Sequence, residues 1–183
     1  MDRRILRTKK AIRNALLSLL LKKNGEKITI KEIAALADVD RKTVYNYYTG
    51  VSDIIDEIEN ELIQSFEAEA RLLVNSTEPK EYFKMIARLI EKDLDLYELL
   101  MKTYNSTFVE KVIVFLREWV EMALNYSGRY PAEKISLAAE FVTAGIYCAY
   151  RHWFASDRKQ SLEEFSLELC ELIIKGLPAY FAQ

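Results

Sequence analysis

Eight side chains between positions 29 and 47 form a set of hydrogen-bond donors: Thr29, Lys31, Arg41, Lys42, Thr43, Tyr45, Asn46 and Tyr47. Arg, Lys, Thr and Tyr donate well to phosphate oxygens, while Arg, Lys and Asn can read the edges of bases. Their chemistry is that of a surface for the backbone and major groove of duplex DNA. Elsewhere the chemistry is sparse. Cys148 and His152 stand four apart, a spacing that permits two metal ligands on one helical face, but Asp157 or Glu140 would have to complete the site. His152 is the only histidine, so any Ser-His-Asp or Cys-His arrangement would depend on it. No glycine-rich phosphate loop is present. The expectation is no catalysis, no metal and no cofactor.

Such donors are useful only if short helices hold them on one side. Thr29-Ile30-Lys31-Glu32 reads as a capping box, in which the Thr hydroxyl and the Glu carboxylate each satisfy an amide of the other residue. Ile30, Ile33, Ala34 and Ala37 give the short helix that follows an inner face. Asp38-Val39-Asp40 reads as a turn, and Asp40 as the N-cap of a second helix over Arg41–Tyr48. In that helix Val44 and Tyr48, four apart, point inward, so Lys42, Tyr45 and Asn46 point outward. Two short helices joined by so tight a turn form a helix-turn-helix, whose second helix enters the major groove. Periodicity alone equally suits a structural helical pair with a solvated charged face.

The surroundings fit a helical protein. Five glycines, three prolines and no period-two alternation argue for an all-α chain of about nine helices. A basic helix over Arg3–Lys23 buries a stripe of Ile5, Ile12, Leu16 and Leu19 and stops at Asn24-Gly25. Thr49-Gly50 breaks the chain before a long helix over about Ser52–Asn75, and Asn75–Pro79 is the clearest internal boundary. Helices about Lys80–Lys92, Leu94–Thr103, Thr107–Tyr126, Ala132–Ser156 and Leu162–Phe181 complete the chain. The net charge of −2 hides an asymmetry: residues 1–50 carry twelve Lys/Arg against five Asp/Glu, whereas residues 51–183 carry fourteen against twenty-three. A basic head on an acidic body is the electrostatic footprint of a nucleic-acid-binding protein. Two cysteines without a CxxC pair, no signal peptide and no long apolar run imply a soluble, cytoplasmic protein with no membrane span.

The stretch ITIKEIAALADVDRKTVYNYYTGVSDII, from Ile28 to Ile55, resembles the TetR-type (TetR/AcrR) transcriptional regulators. The family's hallmark is a Thr, an aliphatic residue, a Tyr, any residue, His or Tyr, then an aromatic; Thr43-Val44-Tyr45-Asn46-Tyr47-Tyr48 fits it position by position. A weaker likeness covers FVTAGIYCAYRHW, Phe141–Trp153. The resemblance implies a three-helix DNA-binding head over 1–50, joined by a long fourth helix to an effector-binding and dimerisation bundle over 51–183. It implies phosphate contacts from Thr43, Tyr45 and Tyr47, with Lys42 at the major groove. Three residues depart from the family pattern: Asp38 stands where Gly is common, Asp40 where Ser is usual, and Val51 where Lys is usual. Arg3, Arg4 and Arg7 of the N-terminal arm are then the candidates to compensate for the lost cation.

In this family an aromatic set commonly walls an effector cavity, which makes Phe66, Tyr82, Tyr97, Tyr104, Phe108 and Trp119 the candidate pocket. These rings equally suit a packed core. Ala138, Val142, Gly145 and Ala149 share one face of their helix, while Phe165, Leu169, Leu172 and Ile173 give the last helix an apolar stripe. Either face could serve the chain's own core; the resemblance favours a dimeric four-helix interface. The function expected is a homodimeric repressor on a palindromic double-stranded operator, released by a small-molecule effector. The alternative is a DNA-binding activator controlled by a partner protein.

Overall fold

The computed structural model describes residues 3–23, 27–73, 78–102, 107–128 and 130–181, and among these it contains nine α-helices. The chain divides into two compact units, Met1–Leu62 with Lys102–Asn105, and Ile63–Met101 with Ser106–Gln183.

The first unit contains α1 (Arg3–Lys23), α2 (Ile30–Leu36), α3 (Arg41–Tyr45) and the start of α4 (Val51–Leu72). Its core forms where the stripes meet: Ile12 and Leu16 of α1, Ile33 of α2, Val44 of α3 and Ile54 of α4 are all fully buried. Ile5 and Leu19, at the ends of the α1 stripe, are only partly covered. The capping box at α2 forms as the sequence predicts, with the Glu32 amide donating to the Thr29 hydroxyl and the Thr29 amide to the Glu32 carboxylate, 3.0 Å away. Asp38 adopts φ 54°, a left-handed conformation that Asp tolerates better than most residues, so the turn closes without glycine.

Two local expectations need correction. Asp40 has the extended backbone of an N-cap, yet its carboxylate makes no capping bond; its carbonyl alone accepts from the amides of Thr43 and Val44. The helix that follows ends at Tyr45 rather than Tyr48. The amides of Tyr47 and Tyr48 both donate to the Val44 carbonyl, and the Thr49 amide turns away to the Asp53 carboxylate at 2.8 Å. The chain therefore leaves the helix in a turn that swings Tyr48 back under the core.

The second unit takes the remainder of α4 with α5 (Pro79–Lys92), α6 (Leu94–Lys102), α7 (Thr107–Tyr126), α8 (Ala132–Ala155) and α9 (Leu162–Phe181). Pro79 opens α5 at a position where a missing amide costs nothing. A second capping box starts α9, with the Glu164 amide on the Ser161 hydroxyl and the Ser161 amide on the Glu164 carboxylate, at 3.2 and 3.1 Å. Helix α7 packs along α8, and α5 along α9. At one end Leu124, Ile135, Ala138 and Ala139 form a cluster closed by Val120 and Tyr130. Inside, the Tyr150 hydroxyl bonds Ser166 at 2.7 Å, and Ser166 in turn donates to the Leu162 carbonyl. No described helix is long and apolar enough to cross a membrane.

Thr143 of α8 is a flaw in this interior. It is buried, and its hydroxyl has no hydrogen-bond partner among the described residues. An unmade bond of this kind costs about 1–3 kcal/mol. Thr143→Val should therefore leave stability unchanged or raise it by about 1 kcal/mol in urea unfolding. A loss of that size would show that the hydroxyl is satisfied in solution.

Candidate nucleic-acid interface

A five-residue helix cannot support itself, because one or two backbone bonds do not offset the cost of nucleation. Helix α3 stands because Val44 is fully buried and Tyr48 is 4% exposed. Burial pushes the Tyr48 hydroxyl well above the usual phenol range, and a hydrogen bond to Glu57 of α4 adds to the shift. The phenol is thus neutral and donates to the Glu57 carboxylate. Glu57 also takes Lys9 of α1 at 2.9 and 3.1 Å, and the Lys9 ammonium lies 5.2 Å from the centre of the Tyr48 ring. One turn along, Arg13 pairs with Glu61. Three helices of the first unit are therefore tied together at Tyr48. Burial tends to raise the Glu57 carboxyl, but the bonds from Tyr48 and Lys9 and the charges of Lys9 and Arg13 outweigh it and hold the group below its ordinary range.

With Val44 and Tyr48 inside, the other side of α3 faces solvent. Arg41, Lys42, Tyr45 and Asn46 are exposed, Tyr45 by 57%, while Thr43 and Tyr47 are half-buried. A cleft of about 670 Å³ runs between the start of α1, the α2–α3 turn and α3. Arg4 and Thr8 line it from α1, Asp38 and Asp40 from the turn, and Thr43, Asn46 and Tyr47 from α3 and the residues that follow it. The structure thus brings an arginine of the N-terminal helix to the same recess as the α3 donors, together with two acidic groups. Lys31 is exposed on α2. Thr29 is exposed but committed: its hydroxyl donates to Glu32 at 2.9 Å, and Glu32 is further paired with Lys23 at 2.7 Å. The Lys23 ammonium and the Thr29 bonds hold the Glu32 carboxyl down to about 2. Thr29 is a structural cap first, which its residue type alone could not distinguish from a phosphate donor.

In the second unit, Phe66, Tyr97 and Phe108 line an apolar cavity of about 60 Å³. Tyr82 and Trp119 are not among its walls. They pack edge to face against each other with ring centres 3.9 Å apart, and the Tyr82 hydroxyl donates to the Leu73 carbonyl. Tyr104 lies outside the described residues. Phe115 lines it as well, and sequence reading missed Ile63, Ile90, Ile146, Tyr150 and Phe154 among the other walls. Their helical spacing marks them as interior, but no sequence feature separates a cavity wall from a filled core.

The two helical faces chosen from sequence divide unevenly. Ala138 and Val142 are buried in the chain's own core, Ala138 in the cluster with Leu124 and Ile135. Leu169 is also buried, Phe165 packs against Tyr150 and Trp153, and Ala149 and Ile173 are half-buried. Gly145 and Leu172 face solvent. The apolar residues that α8 leaves uncovered lie one position earlier in the repeat: Leu137 is 63% exposed and Phe141 75%, with Ala144 and Cys148 on the same stripe. Leu172 of α9 is 70% exposed. Cys148 and His152 are both exposed, and no described group of acidic, Cys and His residues could hold a metal ion.

A family model, TetR_C_8, described as a transcriptional regulator C-terminal region, matches residues 77–175, more than half of the chain. No curated protein matches the sequence. Several solved structures match the fold. A TetR transcriptional regulator from Streptococcus agalactiae is 23% identical, with a TM-score of 0.73 over 94% of this chain and 96% of that one. FadR from Bacillus subtilis, solved in complex with stearoyl-CoA, is 19% identical, with a TM-score of 0.70 over 91% and 98%. The dihydroxyacetone kinase operon activator DhaS is 16% identical, with a TM-score of 0.65 over 94% and 97%. At these identities the likeness is one of fold.

The Tyr48 anchor has a pH signature. A carboxyl held below its ordinary range in the folded state stabilises the fold above its unfolded value, about 4.3, and that contribution disappears as pH falls through the folded value. In unfolding titrations from pH 7 to 3, Glu57→Gln should be less stable than wild type at neutral pH. The gap between the two should narrow below about pH 4.5. A gap independent of pH would mean that the carboxylate charge does not hold the anchor.

Proposed function

The chain belongs to the TetR family of transcriptional regulators, and from that premise we propose that it binds a palindromic DNA operator as a homodimer and represses transcription until an effector enters its body. In this reading residues 1–50 are the DNA-binding head, residues 51–183 are the effector-binding and dimerisation body, and the protein works on cytoplasmic DNA. The observation that carries it is the two-sided segment of α3 and the turn after it: Val44 and Tyr48 are buried, while Arg41, Lys42, Tyr45 and Asn46 are exposed beside Thr43 and Tyr47. Lys42 and Asn46 approach base edges, Tyr45, Thr43 and Tyr47 bind phosphates, and Arg4 and Lys31 add cations from either side. Thr29 acts indirectly, by capping the helix that carries Lys31.

A duplex offers equivalent half-sites about 34 Å apart, so two heads must be held by one rigid body. The uncovered stripe of Leu137, Phe141, Ala144 and Cys148, together with Gly145 and with Leu172 of α9, supports a two-fold interface in which each copy covers the other's apolar residues. Small residues at Ala144 and Gly145 allow the helices to approach closely.

A second reading, a regulator controlled by a partner protein, draws support from the interior. The cavity of about 60 Å³ is small for an effector site, and one similar structure is named as an operon activator. Operator release by a small molecule alone would exclude it.

Lys42→Ala and Tyr45→Phe should each weaken operator binding about tenfold in fluorescence anisotropy while leaving the melting temperature unchanged, because both side chains are exposed. Wild-type affinity in both would remove α3 from the interface. Phe141→Glu should convert the dimer to a monomer by light scattering, since it places two charges in an apolar contact. A variant that stays dimeric would move the interface elsewhere.

A further inference from the structure

We propose that the cavity in the body takes a small, uncharged, apolar ligand of about one ring, and that it rejects organic anions and acyl thioesters. The proposal deepens the effector reading and rests on it. The walls contain no acidic, basic, amide, Ser or Thr side chain. Phe66, Tyr97, Phe108 and Phe115 present rings to one another, with centres 5.9 to 6.2 Å apart. Ile146 and Phe154 close the α8 side, and the nearby Tyr150 hydroxyl is occupied by Ser166. A carboxylate or phosphate here would lose its hydration and find no cation or amide to replace it, only the phenols of Tyr97 and Tyr147. A neutral ring, by contrast, would meet ring edges and faces at the separations that aromatic pairs prefer, about 4.5–7 Å.

Size points the same way. An engineered apolar cavity of roughly 150 Å³ stays dry and binds benzene. The cavity here holds about 60 Å³, less than half of that, so even one ring requires the walls to yield. Met101 is the wall residue able to supply it, being unbranched and flexible. A long acyl chain would require the core to part. The edge of the cavity is also strapped. Glu98, next to Tyr97 on α6, pairs with Arg158, whose guanidinium lies 5.3 Å from the Trp153 ring and 5.8 Å from that of Phe154.

Three probes separate the possibilities: toluene, benzoate (a charged ring of similar size) and stearoyl-CoA. At ten times its dissociation constant toluene should raise the melting temperature of the full-length protein by about 3–6 °C, and benzoate should not. Ile146→Phe should fill the space and abolish the toluene shift; Met101→Ala should enlarge the space and increase it. A benzoate or stearoyl-CoA shift equal to that of toluene would overturn the ligand class while leaving an effector site in place. No shift from any probe, in wild type and Met101→Ala alike, would overturn the cavity as a binding site. Operator anisotropy distinguishes the two claims: toluene binding that leaves operator affinity unchanged would uphold this inference and overturn the effector reading.

Discussion

The first unit depends on one phenol. Tyr48 is the last residue of the family hallmark, and its ring must sit beneath α3 while its hydroxyl reaches Glu57 on α4. Glu57 in turn holds Lys9 of α1, and the Lys9 ammonium returns to the Tyr48 ring. A helix of five residues gains too little from its own backbone to persist, so tertiary contacts supply its stability. Because Val44 and the Tyr48 that follows the helix anchor α3, the orientation of Lys42 and Tyr45 follows from helical geometry. Any shift of α4 relative to α1 must strain this anchor. That makes Glu57 a point where a change in the long helix would reach the exposed side of α3.

The second unit is organised around rings rather than charges. Phe66, Tyr97, Phe108 and Phe115 leave a small apolar space between them. Among the described residues its buried polar groups include a paired set, Tyr150 with Ser166, and one hydroxyl without a partner, that of Thr143. Burying unpaired polar groups is costly, so an interior of this kind selects against charge more strongly than it selects for any particular shape.

Local signals in the sequence predict the scaffold well. The capping box at Thr29 and Glu32, the break at Thr49-Gly50, the prolines and the helical periods place all nine described helices, because caps and breakers act within a few residues. Ser161 and Glu164 carry the same type of signal at the start of α9. Harder to read was what a group does when several partners compete for it. The Thr29 hydroxyl is committed to Glu32, and Asp40 holds a capping position without capping. On α8, small and apolar residues occupy two faces about 100° apart, and periodicity cannot tell which face the chain itself covers. Ala138 and Val142 turn inward; Leu137 and Phe141 remain outside. Tyr82 and Trp119 were indistinguishable by type from Phe66 and Phe108, yet they pack against each other and leave the cavity to others.

The central claim is that α3, held at Tyr48, reads a specific DNA site. Its most direct test is a titration of the full-length protein against the DNA upstream of its own coding sequence and against a scrambled duplex, across a series of salt concentrations. The account predicts a preference of about 10³-fold or more for the upstream DNA, with log affinity falling steeply and linearly with log salt. Equal affinity for the two duplexes at every salt concentration would contradict it.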